Sequence, residues 1–296
     1  MKKLFAPDAS RIGRPDGPAQ PDAVGVEHLG GSPAHLVRDL TGLLGSGQVL
    51  HRLSDLVRYA SDASPYRLLP QVVVQPQDAG DVAAVFDYCR RTGRHATFRS
   101  GGTSLNGQSQ SDDILIDVRR HWAGMTVEND GARLRARPGT ILSHASAVLA
   151  RYGRRLGPDP ASADVATIGG VVANNAGGMR CSLPRNAYHC VTGITFVLPS
   201  GTTINTESPD AESTFRKAEP ELADGLLALR AEILADEELV ERIGHKYTIR
   251  NTTGYALNAF LDAETPLEIF RRLLVGSEGT LAFMAEVVFD TLPTPV

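Results

Sequence analysis

One short polar segment of the 296-residue sequence combines adjacent glycines with hydroxyl and amide side chains. It spans residues 99–108 and contains Arg99, Ser100, Gly101, Gly102, Thr103, Ser104, Leu105, Asn106, Gly107 and Gln108. Adjacent glycines let successive backbone N–H groups point toward one centre, and hydroxyl groups add further donors. We predict that this loop binds a phosphate or a pyrophosphate, since a plain turn, the alternative, needs fewer polar residues.

A second segment, residues 157–178, is dominated by small residues. Its candidate binding residues are Pro158, Asp159, Ser162, Thr167, Ile168, Gly169, Gly170, Asn174, Asn175, Gly177 and Gly178. Small side chains allow a flat ring or a second backbone to approach closely, and the polar members offer hydrogen bonds. This pattern favours a surface that binds a planar group, with a buried contact between small-residue helices as the alternative.

Two further segments place glycine beside polar side chains, at residues 250–255 and 276–280. The first contains Arg250, Asn251 and Tyr255, and the second contains Gly276 and Glu278. Each segment alone is equally compatible with a binding loop and with a structured turn.

The common nucleotide-binding and metal-binding signatures are absent from the sequence. Neither G-x-G-x-x-G nor G-x-x-x-x-G-K-[ST] occurs, so a dinucleotide would be held by a different loop architecture. Cys181 and Cys190 belong to no C-x-x-C or H-x-x-x-H pattern, so we expect no metal site.

Composition excludes several other classes of protein. The 30 basic and 34 acidic residues give a net charge of −4, which argues against a nucleic-acid partner or a polybasic membrane patch. Three cysteines are too few for a disulfide framework and fit a reducing compartment. No apolar run approaches the roughly 18 residues of a transmembrane helix. We expect a cytoplasmic protein, with peripheral attachment to the inner membrane as the alternative.

The elements that must position these loops fall into two groups. Before residue 120, the sequence predicts a helix over 50–60, a strand over 72–74, a helix from Asp78 to about Thr92, and strands over 95–98 and 114–118. The β–α–β order from 72 to 98 indicates a parallel pair joined by a crossover helix. These elements form a small αβ lobe.

After residue 120, the pattern changes to antiparallel hairpins. One hairpin is predicted over 125–136 around Asp130-Gly131, and a second over 193–205. Helices are predicted over 140–152 and 221–235, a polar surface segment over 206–220, and a final strand over 283–292. The fold class is therefore α+β, with lobes of about 46–120 and 121–296 after a partly flexible N-terminal extension of residues 1–45.

Taken together and in this order, the four polar segments resemble the FAD-binding domain of the PCMH-type flavoenzymes, the vanillyl-alcohol-oxidase superfamily. The likeness spans roughly residues 50–296 and is greatest to the D-lactate, glycolate and D-2-hydroxyglutarate dehydrogenases. The strand predicted over 72–74, with Pro76 after it, also resembles the first strand of the domain in this group. The resemblance implies that residues 99–108 wrap the FAD pyrophosphate and that 158–178 contact the flavin and ribityl chain. It further implies that Ile194 lies on the adenine side, with Gly276 and Glu278 near the flavin.

Three departures from the family pattern bear on function. Thr103 stands where many relatives carry a histidine that bonds covalently to the flavin, so we expect dissociable, non-covalent FAD. Tyr188-His189 replaces the usual tyrosine–glycine pair. The chain ends where the family's substrate-capping domain would begin, so we expect the catalytic acid–base group to lie on that missing cap, with Arg250, Asn251 and Tyr255 as weaker candidates in this chain.

The resemblance implies the FAD-binding portion of an oxidoreductase that transfers a hydride from a small D-2-hydroxy acid to flavin N5. Electrons would then pass to a quinone, a cytochrome or an iron–sulfur module on another domain or chain. A non-catalytic FAD-binding subunit or fragment, completed by a partner chain that supplies the cap, is the alternative. An enolpyruvyl reductase of the same fold fits the late motifs less well.

Overall fold

The computed structural model describes residue 24 and residues 28–294. Most of the predicted N-terminal extension therefore lies outside the described residues. The first lobe contains seven elements: α1 (Ala34–Leu44), β1 (Val49–Leu50), α2 (Leu53–Tyr59), β2 (Val72–Val74), α3 (Ala79–Thr92), β3 (Ala96–Arg99) and β4 (Ile114–Asp117). Helix α1 falls within the predicted extension, yet its residues Leu36 and Leu40 are fully buried in the core of this lobe.

The sheet of the small lobe has the strand order β1-β2-β4-β3. Strands β2 and β3 both run parallel to β4, and β1 is antiparallel to β2. The predicted parallel strands β2 and β3 are joined by helix α3 as a crossover, and β4 lies between them in the sheet. Helix α3 begins and ends as its sequence predicts: Asp78 accepts a hydrogen bond from the Asp81 N–H, and Gly93 terminates the helix with φ +67°.

The second lobe is built on an antiparallel sheet. Its elements are β5 (Met125–Glu128), β6 (Arg133–Ala136), α4 (Leu142–Ala150), β7 (Arg154–Arg155), α5 (Ile168–Ala173), α6 (Ala187–Cys190), β8 (Val191–Val197), β9 (Thr203–Asn205), α7 (Ala211–Ala218), α8 (Pro220–Ala235), α9 (Glu237–Lys246), α10 (Ala259–Asp262), α11 (Pro266–Leu274), β10 (Phe283–Asp290) and β11 (Leu292–Pro293). The main sheet has the order β5-β6-β10-β8-β9, and β11 pairs with β7. Both predicted hairpins are present.

Two expectations for this lobe need correction. The segment 206–220 is not a plain surface segment, because it contains helix α7, whose Phe215 is fully buried. The strand predicted over 283–292 is interrupted at Thr291, whose N–H donates to the carbonyl of Ala132 and whose side chain turns toward Gly131. The α+β fold itself is confirmed.

The two lobes meet along strand β10. Its Phe283 stacks on Phe98 of β3 with ring centroids 5.1 Å apart, and Trp122 contacts the same ring edge-on at 4.7 Å. The Trp122 indole N–H donates to the carbonyl of Pro76 at 2.8 Å. Aromatic contacts of this kind add to the free energy gained from apolar burial, so they fix the relative position of the lobes. Within the described residues, no helix is long and apolar enough to cross a membrane.

Candidate functional site

A cleft of about 350 Å³ lies at the junction of the two lobes. Its floor is apolar and consists of Phe98, Val118, Pro138, Phe283 and Met284. One wall is the glycine loop of the small lobe, and the other is helix α5 with the residues that follow it. An apolar floor with polar walls is the usual construction of a site for a cofactor that carries an aromatic ring.

The cleft brings together residues from all four segments that the sequence singled out. The predicted binding residues among its lining are Ser100, Gly102, Thr103, Ser104, Gln108, Ser162, Gly169, Gly170, Asn174, Gly177 and Glu278. These residues are separated by up to 178 positions in the chain, so their convergence on one cleft is a property of the fold. Their contact with a cofactor remains a prediction.

The glycine-loop wall is organised by the Ser104 side chain. Its hydroxyl accepts hydrogen bonds from the backbone N–H groups of Gln108, at 3.1 Å, and Asn106, at 3.3 Å, and it also bonds the Gln108 side chain. Gly102 and Gly107 have φ values of +65° and +80°, which other residues adopt only at a cost. The loop is therefore a preformed turn with its polar groups toward the cleft.

Residues 61–67 contact this loop on the side away from the cleft, and we call them the bracing segment. The Ala63 N–H donates to the Gly102 carbonyl at 3.0 Å. The Asp62 carboxylate accepts hydrogen bonds from Ser109 Oγ, at 2.8 Å, and Gln110 Nε2, at 2.7 Å. Tyr66 lies against Gly107, where an added Cβ would be 3.1 Å from Tyr66 Cδ2.

The opposite wall depends on close backbone approach. A Cβ added to Gly169 of α5 would lie 2.7 Å from the Cβ of Pro138, and one added to Gly170 would lie 3.1 Å from Ser100 Oγ. Glycine at these two positions therefore lets α5 approach the cleft floor and the opposite loop closely. These contacts lie within the protein, and the binding of a planar group by the small-residue segment stays a prediction.

Glu278 lies at the end of this wall in a strained conformation. Its φ is +53°, its N–H donates to the Ala173 carbonyl at 2.8 Å, and its Oε1 accepts from Asn174 Nδ2 at 2.6 Å. Burial raises the pKa of the Glu278 carboxyl, and the hydrogen bond from Asn174 only partly opposes that effect. Among the described lining residues, Glu278 is the acidic side chain and Arg250 the basic one.

The three weaker catalytic candidates do not share one site. Arg250 lines the cleft, with its guanidinium carbon 3.2 Å from where a Cβ of Gly177 would lie. Asn251 instead lines a neighbouring depression of about 210 Å³, together with Asn175 and Gly276. The Tyr255 hydroxyl is hydrogen-bonded to Thr280 Oγ1 at 2.8 Å.

Tyr188 and His189, which stand where the family has a tyrosine–glycine pair, also line the neighbouring depression. The backbone N–H of Tyr188 donates to Asn175 Oδ1 at 3.1 Å, and its hydroxyl donates to Asp262 Oδ2 at 2.7 Å. Burial and the adjacent carboxylate both raise the pKa of the Tyr188 hydroxyl. Tyr188 therefore anchors Asn175 from the side opposite the cleft.

Several predicted binding residues lie behind the cleft lining. Thr167 and Ile168 are buried in the large-lobe core, and Ile194 is buried in β8 with its backbone paired to Thr206. Asn175 and Gly276 line the neighbouring depression. Seven others are not among the residues that line the cleft: Pro76, Arg99, Gly101, Gly107, Pro158, Asp159 and Gly178. Direct contact between these residues and a cofactor remains a prediction.

Other lining residues were missed by the sequence analysis. Ser109 directly follows the predicted loop, so its position in the sequence could have placed it among the binding residues. Phe98, Phe283 and Met284 have the pattern of ordinary strand residues, so nothing in the sequence distinguished a cleft floor from a core.

The shape and donor set of the cleft fit a ligand that carries phosphate and a flat ring. The glycine loop offers backbone N–H groups and the hydroxyls of Ser100 and Thr103 to an anion, whereas the Ser104 hydroxyl donates to Gln108 within the loop. The apolar floor and the glycine wall leave space for a planar group. Within the described residues, no cluster of side chains is suited to hold a metal ion.

Comparison with known proteins agrees with this reading of the cleft. Residues 70–207 match the family model described as an FAD binding domain. D-2-hydroxyglutarate dehydrogenase of Pantoea ananatis is 29% identical over 259 residues, covering 84% of this chain and 25% of that protein. D-lactate dehydrogenase of Archaeoglobus fulgidus is 27% identical, covering 79% and 43%. Glycolate oxidase subunit GlcD of Escherichia coli is 31% identical over 137 residues, covering 45% and 28%.

Solved structures show the same fold. An alkyldihydroxyacetonephosphate synthase superposes with a TM-score of 0.59 at 16% identity, covering 92% of this chain and 44% of that chain. 6-Hydroxy-D-nicotine oxidase from Arthrobacter nicotinovorans gives 0.53 at 17% identity, covering 81% and 40%. The chain spans about a quarter of the length of the D-2-hydroxyglutarate dehydrogenases that it matches.

Proposed function

We propose that this chain, whose residues 70–207 match an FAD binding domain, is the flavin-binding part of a PCMH-type FAD-dependent oxidoreductase acting on a D-2-hydroxy acid. The observation that carries the proposal is the convergence of four separate motifs on one cleft with an apolar floor. The named relatives supply the substrate class, which includes D-2-hydroxyglutarate, D-lactate and glycolate.

In this proposal each wall has a distinct task. The glycine loop holds the pyrophosphate of FAD through its N–H groups and hydroxyls. Helix α5, Ser162 and Asn174 orient the ribityl chain and ring, and Glu278 accepts hydrogen bonds at the end of the wall. Bound FAD supplies the ability to accept a hydride from the carbon that bears the substrate hydroxyl. Threonine cannot form the histidyl bond to flavin, so Thr103 supports non-covalent FAD.

Arg250 is the cleft residue suited to bind the carboxylate of a hydroxy acid, because a guanidinium can donate two parallel hydrogen bonds to that group. A base for the hydroxyl proton is harder to assign. No histidine lines the cleft among the described residues, and Glu278 already accepts from Asn174. This observation favours the second candidate function, an FAD-binding subunit or fragment completed by the cap of a partner chain or by a further domain.

The electron acceptor and the location are also proposals. A quinone, a cytochrome or an iron–sulfur module on another domain or chain would reoxidise the flavin. The low cysteine count supports a cytoplasmic location, with peripheral attachment to the inner membrane as the alternative.

Reconstitution with FAD tests the cofactor assignment. We expect the purified protein to form a yellow complex, to quench flavin fluorescence and to gain thermal stability in proportion to FAD concentration. Acid precipitation should release all of the FAD into the supernatant. The absence of both a yellow complex and a thermal shift would rule out the cofactor.

Turnover then separates the two candidate functions. The FAD-loaded chain is mixed with D-lactate, D-2-hydroxyglutarate or glycolate and an artificial electron acceptor, with the L enantiomers of the two chiral acids as matched controls. Reduction of the acceptor with a D acid or with glycolate, but not with the L acids, would establish a complete dehydrogenase. FAD binding without turnover would support the subunit or fragment that needs a cap.

A further inference from the structure

Arg99, the last residue of β3, lies beneath the glycine loop rather than in its cleft-facing wall. The residue is 8% exposed. Its Nη2 donates to the Ser61 carbonyl at 2.6 Å and its Nη1 donates to the Ser109 carbonyl at 3.2 Å. A Cβ on Gly102 would lie 2.6 Å from this guanidinium, so the loop is wrapped around it. Because Gly102 and Ser109 also line the cleft, one layer of backbone separates the guanidinium from the cleft.

The charge of Arg99 has no acidic partner in direct contact. Within the described part of the chain, no carboxylate lies at ion-pair distance from Arg99, and its Nε lacks a hydrogen-bond partner. The nearby carboxylates are engaged elsewhere: Asp62 with Ser64, Ser109 and Gln110, and Asp117 with Tyr59, Gln75 and Arg119. Burial lowers the pKa of Arg99, and the electrostatic attraction of Asp62 and Asp117 opposes that effect only in part.

A buried cation whose direct contacts are all neutral carbonyls is unfavourable in the protein alone, because the Asp62 and Asp117 carboxylates attract it from beyond ion-pair distance and do not offset the hydration it has lost. An anion placed on the other side of the loop would supply that counter-charge across a region of low dielectric. Neighbouring Arg119 provides the contrast, since it lies at the end of the adjacent strand, is half-exposed and is 3.3 Å from the Asp117 carboxylate.

We propose that Arg99 is a positioning residue whose buried charge, acting from beneath the glycine loop, selects for the phosphate-bearing part of the ligand. This inference rests on the proposed function, because it takes the anion to be the pyrophosphate of FAD. Two neutral carbonyl contacts hold the guanidinium in place, and the bracing segment that supplies one of them also fixes Gly102 through the Ala63 N–H.

The test compares FAD with riboflavin, which has the same ring and ribityl chain but no phosphate. Dissociation constants are measured by quenching of flavin fluorescence for the wild type, Arg99→Gln, Arg99→Lys and the matched control Arg119→Gln. We expect Arg99→Gln to weaken FAD binding by on the order of 10-fold or more. The same variant should leave riboflavin binding nearly unchanged, while Arg99→Lys, which keeps the charge, retains most of the FAD affinity. Arg119→Gln should leave the preference for FAD over riboflavin intact.

A purely structural role predicts a different pattern. Equal losses for FAD and riboflavin in Arg99→Gln, or unchanged FAD affinity, would overturn the proposal. Inorganic pyrophosphate provides a readout that needs no flavin: it should raise the unfolding temperature of the wild type and of Arg99→Lys but not that of Arg99→Gln. If Arg99→Gln does not fold, absence of a pyrophosphate shift in the wild type still contradicts the inference. A shift with pyrophosphate but no FAD binding would instead contradict the proposed function alone.

Discussion

The two walls of the cleft are held in place by different forces. The glycine loop of the small lobe is positioned by polar contacts from the bracing segment, including two side-chain hydrogen bonds to Asp62. The opposite wall is positioned by steric contact, since its glycines lie so close to neighbouring residues that an added Cβ would be crowded: Gly169 by Pro138, Gly170 by Ser100 and Gly178 by Asp159. A polar wall can adjust to an anion, whereas a wall of tightly packed backbone presents a fixed surface to a flat ring.

Adding a methyl group to the packed wall is expected to have the largest effect. In Gly178→Ala the new Cβ would lie 1.9 Å from the Asp159 carbonyl oxygen, so backbone must move. We expect a loss of about 3 kcal/mol or more in the free energy of unfolding, measured by urea denaturation.

Gly225→Ala in helix α8 is the matched control for that substitution. Nothing lies within 4 Å of the position of its Cβ. Alanine should stabilise the protein by about 0.5–1 kcal/mol, because it favours the helix over the unfolded chain. Similar effects of the two substitutions would show that close packing does not hold this wall.

Removing a hydrogen-bond acceptor from the polar wall should have an intermediate effect. Asp62→Ala deletes the acceptor for Ser109, Gln110 and the Ser64 N–H. We expect a loss of about 1–2 kcal/mol in the free energy of unfolding. The loss is at the low end for a charged acceptor because Asp62 is only half-buried. FAD affinity should fall together with that stability, and a loss of stability with unchanged affinity would separate the bracing segment from the site.

The pH dependence of unfolding refines this prediction. Burial acts to raise the pKa of Asp62, but the hydrogen bonds from Ser64, Gln110 and Ser109 outweigh it and leave the pKa below its ordinary value. The stabilisation is therefore present above the unfolded pKa, near 3.8, and is lost as the pH falls through the lower folded pKa. Asp62→Asn should remove this component, and an unchanged stability profile between pH 5 and the acid transition would contradict the assignment.

The smallest effect is expected at Glu278. Burial raises the pKa of the Glu278 carboxyl above its ordinary value of 4.5, so the folded protein favours the protonated form. The contribution of Glu278 to the free energy of unfolding is therefore favourable below pH 4.5 and is lost as the pH rises through the folded pKa. Glu278→Gln should flatten that part of the profile and change the free energy of unfolding near pH 7 by less than about 1 kcal/mol. A loss comparable to that of Gly178→Ala would show that the carboxylate is a structural support.

The sequence predicted the parts of this site whose chemistry is local. Glycine pairs, hydroxyls and helix caps act within a few residues, so the loop at 99–108 and helix α3 could be identified from pattern alone. The order of the four segments then indicated the resemblance, and residues 70–207 match the model of an FAD binding domain.

Features that depend on distant contacts could not be predicted in this way. The position of β4 between β2 and β3 is decided by sheet pairing, and helix α7 is anchored by Phe215 in a core that forms only in the folded chain. Arg99 was predicted as a member of the loop, but its place beneath it depends on Ser61, which is 38 residues earlier. The aromatic cleft floor has the sequence pattern of ordinary core strands.

The position of strand β10 affects how the protein unfolds. Its Phe283 and Ala285 belong to the apolar core of the small lobe, whereas Met284, Val287 and Phe289 belong to that of the large lobe. One strand therefore contributes to two cores. Loss of β10 from the sheet would remove Phe283 and Met284 from the cleft floor and open both cores at once, so we expect the two lobes to unfold together.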